Sequence, residues 1–166
     1  MLISLLTLII FIYQTNIIRE QSRLSVAPRI AFNSSLDTPD SISYFSFHIM
    51  NQGLGPAIVE SIDIIHEGKR FKLDFRKFFE KEFPEFEKYG SIIQNMTITT
   101  GTTISEKDGI KFVTYAFKSK NTIELLKYLK IEDEDKRPFE IEVIYSSIYG
   151  DKWKVNSLID GHPIKL

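Results

Sequence analysis

No charged side chain occurs in the first eighteen positions, MLISLLTLIIFIYQTNII, and Arg19, Arg23 and Arg29 stand just beyond them. A run this apolar on all sides suits lipid better than the core of a soluble domain, where helices are striped. From Leu2 to Ile18 a helix rises about 26 Å at roughly 1.5 Å per residue, close to the hydrocarbon thickness of about 30 Å. Residues 1–22 therefore read as a transmembrane anchor with its juxtamembrane turn, which leaves residues 23–166 for a folded domain. A cleaved signal peptide would carry a basic stretch before the apolar run and small residues at its exit. Here nothing basic precedes the run, and the exit is Tyr13, Gln14, Thr15 and Asn16. Arginines beside a span stay on the cytoplasmic side, and only the C-terminal flank has them. The expectation is a single-pass cell-membrane protein with its domain in the cytoplasm, the extracytoplasmic orientation being the alternative.

The domain is expected to be mainly β. Aromatic residues make up 13% of the chain, almost all Phe and Tyr, which favour strands and sandwich cores. Alternation of period two marks strands at Arg29 to Asn33, Ser43 to Met50, Ala57 to Ile65, Lys69 to Leu73, Ile92 to Thr99, Ile110 to Phe117, Phe139 to Ser147 and Lys152 to Ile159. Glu67-Gly68 and Gly150-Asp151 sit where two hairpins need their turns. Two helices interrupt this pattern. Asp74 caps one whose Phe75, Phe78, Phe79 and Phe83 share a face, and which ends near Pro84 or continues through a kink toward Tyr89. Asn121 to Glu124 resembles a capping box ahead of Leu125, Leu126 and Leu129. Glu132 to Arg137, without an apolar residue, reads as a solvated loop.

Asn51-Gln52-Gly53-Leu54-Gly55-Pro56-Ala57 lies between two of these strands. The glycines allow positive φ and the proline fixes the exit, so Asn51, Gly53, Gly55 and Pro56 are assigned to a structural turn, with at least one glycine left-handed. Phosphate binding by Gly-x-Gly would need a helix N-terminus after it, and a strand follows instead. The segment resembles the N-x-G-x-G-P-A turn of uncharacterised bacterial proteins that carry one N-terminal spanning helix and a β-rich domain. Arg23-Leu24-Ser25-Val26-Ala27-Pro28 resembles the R-L-S-V-x-P segment that follows their anchor. The turn is also similar to one in immunoglobulin-like modules. The resemblance implies a transmembrane helix followed by an immunoglobulin-like β-sandwich with two short inserted helices, and it carries over no catalytic residue.

No catalytic, cofactor or metal site is legible. His48, His66 and His162 have no ligand spacing, no nucleophile elbow occurs, and a net charge of -1 lacks the basic footprint of a nucleic-acid binder. The favoured expectation is a non-catalytic module that binds or scaffolds an unknown protein at the bilayer held by Leu2 to Ile18. Phe86 and Tyr89, extending the aromatic face past Pro84, and Tyr149 and Trp153, flanking the last hairpin, are its candidate partner contacts. The alternative is a small-ligand receptor or enzyme with a cleft between the sheet and the inserted helices. Exposed Phe86 and Tyr89 would favour the first, and a pocket that they line would favour the second.

Overall fold

The computed structural model describes residues 2–129, 138–157 and 162–166. Glu132 to Arg137, and the end of the strand expected through Ile159, lie outside these. Helix α1 (Leu2–Ser25) leads into strands β1 (Ile30–Asp37), β2 (Ile42–Asn51), β3 (Ala57–His66) and β4 (Lys69–Lys72). Helix α2 (Phe75–Glu82) and a 3-10 turn (Phe86–Lys88) precede β5 (Gly90–Asn95), β6 (Thr103–Ile104) and β7 (Gly109–Lys118). A second 3-10 turn (Ser119–Asn121) runs into α3 (Thr122–Tyr128), followed by β8 (Glu140–Ser146), β9 (Lys152–Asn156) and β10 (Ile164–Lys165).

The strands form two antiparallel sheets, one ordered β1-β2-β7-β5 and the other β10-β9-β8-β3-β4, with β6 also paired to β3. Their inner faces share one core. Ile49, Phe112, Val113, Tyr115 and Phe117 come from the first sheet, and Val59, Ile64, Ile141, Val143 and Val155 from the second. A backbone tie crosses between the sheets: the Ile30 N–H donates to the Tyr145 hydroxyl at 3.3 Å, and burial pushes that phenol up to about 12. On the outer face of the first sheet Ser46 and Thr114 are bonded side chain to side chain at 3.1 Å. Helix α1 stands apart from this body, with none of its apolar stretch buried and with the length and composition to cross a membrane.

The hairpin turns form as the residues dictate. Glu67 and Gly68 both take positive φ, 48° and 75°, the geometry that matches strand twist in a two-residue hairpin. Asp74 caps α2 by accepting from the Lys77 N–H at 3.3 Å. The capping box expected at Asn121 does not form. A 3-10 turn already leads into α3 there, and the Asn121 amide donates instead to the Tyr89 carbonyl at 3.3 Å. The strand expected over Ile92 to Thr99 stops at Asn95. Beyond it the chain crosses to the other sheet, where Thr102 accepts from Val59 N–H at 2.9 Å and β6 begins.

Candidate functional site: an apolar cavity and a tied helix exit

Helix α2 lies across one end of the core, because every side chain on one of its faces is a phenylalanine. Phe75 stacks on Phe112 at 5.6 Å, and Phe78 meets Phe139 edge-on at 5.4 Å. Pro84 ends the helix, and the 3-10 turn that follows swings Phe86 inward rather than outward. Phe86 stacks between Phe79 and Tyr115, each at 4.1 Å between ring centres, and is 5% exposed. The Tyr115 hydroxyl donates to the Phe86 carbonyl at 2.8 Å, which locks the turn. Burial, with a smaller contribution from Glu87, holds that phenol well above the ordinary tyrosine range.

The expectation of Phe86 as a surface contact is therefore overturned: a large ring beside an apolar sheet face gains more from burial, about 1.5–3 kcal/mol, than a helical path past Pro84 would allow. Tyr89 is half-buried and packs on Tyr128 at 5.3 Å.

Between α2, α3 and the first sheet lies a cavity of about 370 Å³. Among the described residues, Phe45 and Phe47 of β2, Val113, Tyr115 and Phe117 of β7, and Leu125 and Leu129 of α3 line it, with Phe79, Phe86 and Ile141 closing its sides. Among the described residues the polar side chains on the wall are the hydroxyls of Ser34, Tyr115, Thr122 and Ser157, and the last three are bonded to backbone groups. The Thr122 hydroxyl donates to the Ser119 carbonyl at 2.6 Å, and the Ser157 hydroxyl accepts from the Ile141 N–H at 2.9 Å. What the wall presents to an occupant is mainly aromatic rings and methyl groups, with the Ser34 hydroxyl at its β1 side. Sequence patterning marks these residues as inward-facing but does not distinguish a filled interior from a hollow one, so none of β7 or α3 stood out as a site.

The opposite end of the domain is where α1 enters. Asn51 is fully buried and uses its whole amide: Oδ1 accepts from the N–H groups of Arg29 and Gly53, both at 3.0 Å, and Nδ2 donates to the carbonyls of Gly55 at 2.7 Å and Ile104 at 3.0 Å. One side chain thus joins the β2–β3 turn, the linker after α1 and β6. The turn assignment stands, but its expected reason does not. Neither Gly53 nor Gly55 is left-handed. They are small because the linker runs against them: a Cβ on Gly53 would sit 2.4 Å from both the Ala27 carbonyl oxygen and the Arg29 nitrogen, and one on Gly55 1.8 Å from the Val26 carbonyl oxygen.

Arg23, at the end of α1, bonds Asp151 at 2.8 Å and lies 6.0 Å from the Tyr149 ring centre. The Arg23 guanidinium, followed by Lys165, holds the Asp151 carboxyl below the usual carboxylate range. Of the two aromatic candidates on this hairpin, Tyr149 is exposed, whereas Trp153 is half-buried and stacks on Tyr145 at 5.8 Å.

The histidines do not converge. His66 bonds the Pro138 carbonyl through Nδ1 and packs on Phe78 and Phe83, and among the described residues no three metal-ligating side chains gather. No protein-family model and no curated protein matches the chain.

Proposed function

We propose that this chain is a membrane-anchored, immunoglobulin-like β-sandwich that receives an apolar small molecule, or the aliphatic part of one, in the cavity beneath α2 and α3. The observation that carries this reading is the cavity itself, with Phe86 on its wall instead of on the surface. The favoured expectation of a protein scaffold loses Phe86 as a contact, and Tyr149 is the exposed aromatic residue that it keeps.

Strand order supports the fold assignment. The orders β1-β2-β7-β5 and β9-β8-β3-β4 correspond to the A-B-E-D and G-F-C-C′ arrangement of immunoglobulin sandwiches. Helix α1 supports the anchor. Arg19, Arg23 and Arg29 support a domain on the cytoplasmic side, although Arg23 is shared with Asp151. A wall that is mostly aromatic and aliphatic, and among the described residues carries no carboxylate, histidine or lysine, favours storage, transfer or sensing of a ligand over chemistry performed on it.

Replacing Val113 with Phe extends a ring into the hollow, and the spare volume lets the core accept it. After extraction of the full chain from host membranes, mass spectrometry under native conditions is expected to find a bound apolar compound on the wild type and little on Val113→Phe, with thermal unfolding of the two alike. Equal occupancy, or none on either chain, would remove the cavity from the account.

A further inference from the structure

The end of the domain nearest α1 exposes apolar side chains that the core does not use. Leu24, Leu54, Ile148 and Tyr149 are 67%, 62%, 56% and 51% exposed. They come from the last turn of α1, the β2–β3 turn and the β8–β9 turn, and the contacts already described bring these three segments together. Leu54 N–H donates to the Ala27 carbonyl at 3.2 Å, Gly55 packs on Val26, and Tyr149 lies beside Arg23. The β8–β9 turn is itself fixed, with Ser147 N–H on the Asp151 carbonyl at 2.9 Å and Gly150 at φ 82°.

We propose that this end of the domain is a second membrane contact, seated in the lipid headgroup layer of the bilayer that α1 spans. The proposal rests on the anchor reading and adds to it. Its occupant follows from the length of α1. Arg23 lies five residues beyond Ile18, which places it about 8 Å above the apolar stretch at 1.5 Å per residue. The headgroup layer is roughly 5–8 Å thick on each side of the hydrocarbon. A helix with any tilt brings Arg23, and with it the Tyr149 ring, into that layer.

The composition of the end suits the place. A tyrosine with an apolar body and a polar tip is at home at headgroup depth, and Leu54 and Ile148 on tight turns can enter without exposing unpaired strand edges. Basic groups surround them: Arg19 and Arg29 are exposed, and Lys152 and Lys165 extend from β9 and β10 toward Glu60 and Asp151. Acidic groups share this end: Glu20 on α1, Asp151 paired with Arg23 and Lys165, and Glu106 and Asp108 on the loop before β7 that bonds Asn51. The consequence for the cavity is directional. Strand β1 starts beside α1 at Ile30 and runs away from it, and Leu36, near its far end, borders the hollow. With the turns resting on lipid, the cavity is held facing away from the bilayer, so its ligand arrives from the aqueous phase rather than by lateral entry from lipid.

The chain has no native cysteine, so single-cysteine variants report one position each. Ile10→Cys, Leu54→Cys, Ile148→Cys and, as a membrane-distal control, Leu36→Cys would carry a polarity-sensitive fluorophore. The full chain would be reconstituted in vesicles of phosphatidylcholine with a minority of phosphatidylglycerol. Quenchers placed on the headgroup, in the acyl chain and in water then read depth. The expected result is acyl-chain quenching at Ile10 and headgroup quenching at Leu54 and Ile148 about twofold or more above that at Leu36, as interfacial placement requires. Acyl-chain quenching at Ile10 with Leu54 and Ile148 as aqueous as Leu36 would overturn the contact, keep the anchor and leave the turns free for a protein. Aqueous quenching at Ile10 would overturn the anchor and the contact together.

Discussion

Replacing Asn51 with Leu is expected to lower the stability of the domain by about 4 kcal/mol or more, because it leaves several backbone groups without partners at about 1–3 kcal/mol each. The residue keeps nearly the same volume, so packing alone predicts little change. The four bonds it removes run to Arg29, Gly53, Gly55 and Ile104, and the site is closed to water that could replace them. In thermal unfolding of the full chain in detergent, read by the single tryptophan, a loss of that size appears as a fall of roughly 12 °C in Tm. A Leu variant that melts with the wild type would show that the amide is not what joins turn, linker and β6.

Asn51→Asp sharpens the test through its pH dependence. The carboxylate keeps the two acceptor bonds but turns its second oxygen toward the carbonyls of Gly55 and Ile104, so desolvation and those oxygens raise its pKa in the folded state. A folded pKa raised above the unfolded one contributes stability below the unfolded value, about 4. That contribution is lost as pH rises through the folded value. The variant is therefore expected to gain stability on mild acidification, relative to wild type at each pH.

The second large effect is expected at Gly55. Even alanine would place its Cβ 1.8 Å from the Val26 carbonyl oxygen, and the obstacle is backbone held by the Asn51 network, not a side chain that can turn away. Overpacking of this kind costs about 3 kcal/mol or more, enough to drop Tm by roughly 10 °C. Gly101 provides the contrast. Its φ is 88° with nothing within 4 Å of a new Cβ, so alanine there meets only left-handed strain of about 1–2 kcal/mol. Equal effects at the two positions would mean that the linker gives way, and that the fit between α1's exit and the β2–β3 turn is loose.

These two sites show what was legible and what was not. Asn51 to Pro56 is recognisable as a turn because Gly and Pro punctuate two alternating runs, yet the same letters serve a positive φ or a close backbone approach. Only the linker, about twenty-five residues earlier in the chain, decides between them, and sequence patterning has no access to that contact. Phe86 failed for a related reason. Its spacing from Phe79 and Phe83 suits an extended helical face past Pro84, whereas the chain takes a 3-10 turn and delivers the ring to Tyr115 from β7. The strands, by contrast, follow from period-two alternation, since each half of the pattern faces a core that both sheets share.

Short elements were invisible. Strands β6 and β10 have two residues each, too few for any period, and exist because β3 and β9 offer edges. The cavity was invisible too. Val113, Tyr115 and Phe117 alternate on β7 as core residues do, and nothing in the alternation says that α2 and α3 stop short of filling the space between them.

Methyl NMR of the full chain in lipid nanodiscs, titrated with decanoate, reads occupancy of the cavity most directly. Burial of such a chain at about 0.8 kcal/mol per methylene supports a Kd on the order of 10–100 µM. Saturable shifts are expected at Val113, Leu125, Leu129 and Ile141, with Val59 and Val155 unmoved and the response lost in Val113→Phe. Shifts that grow without saturation, or that spread equally to Val59 and Val155, would contradict a ligand cavity under the two helices.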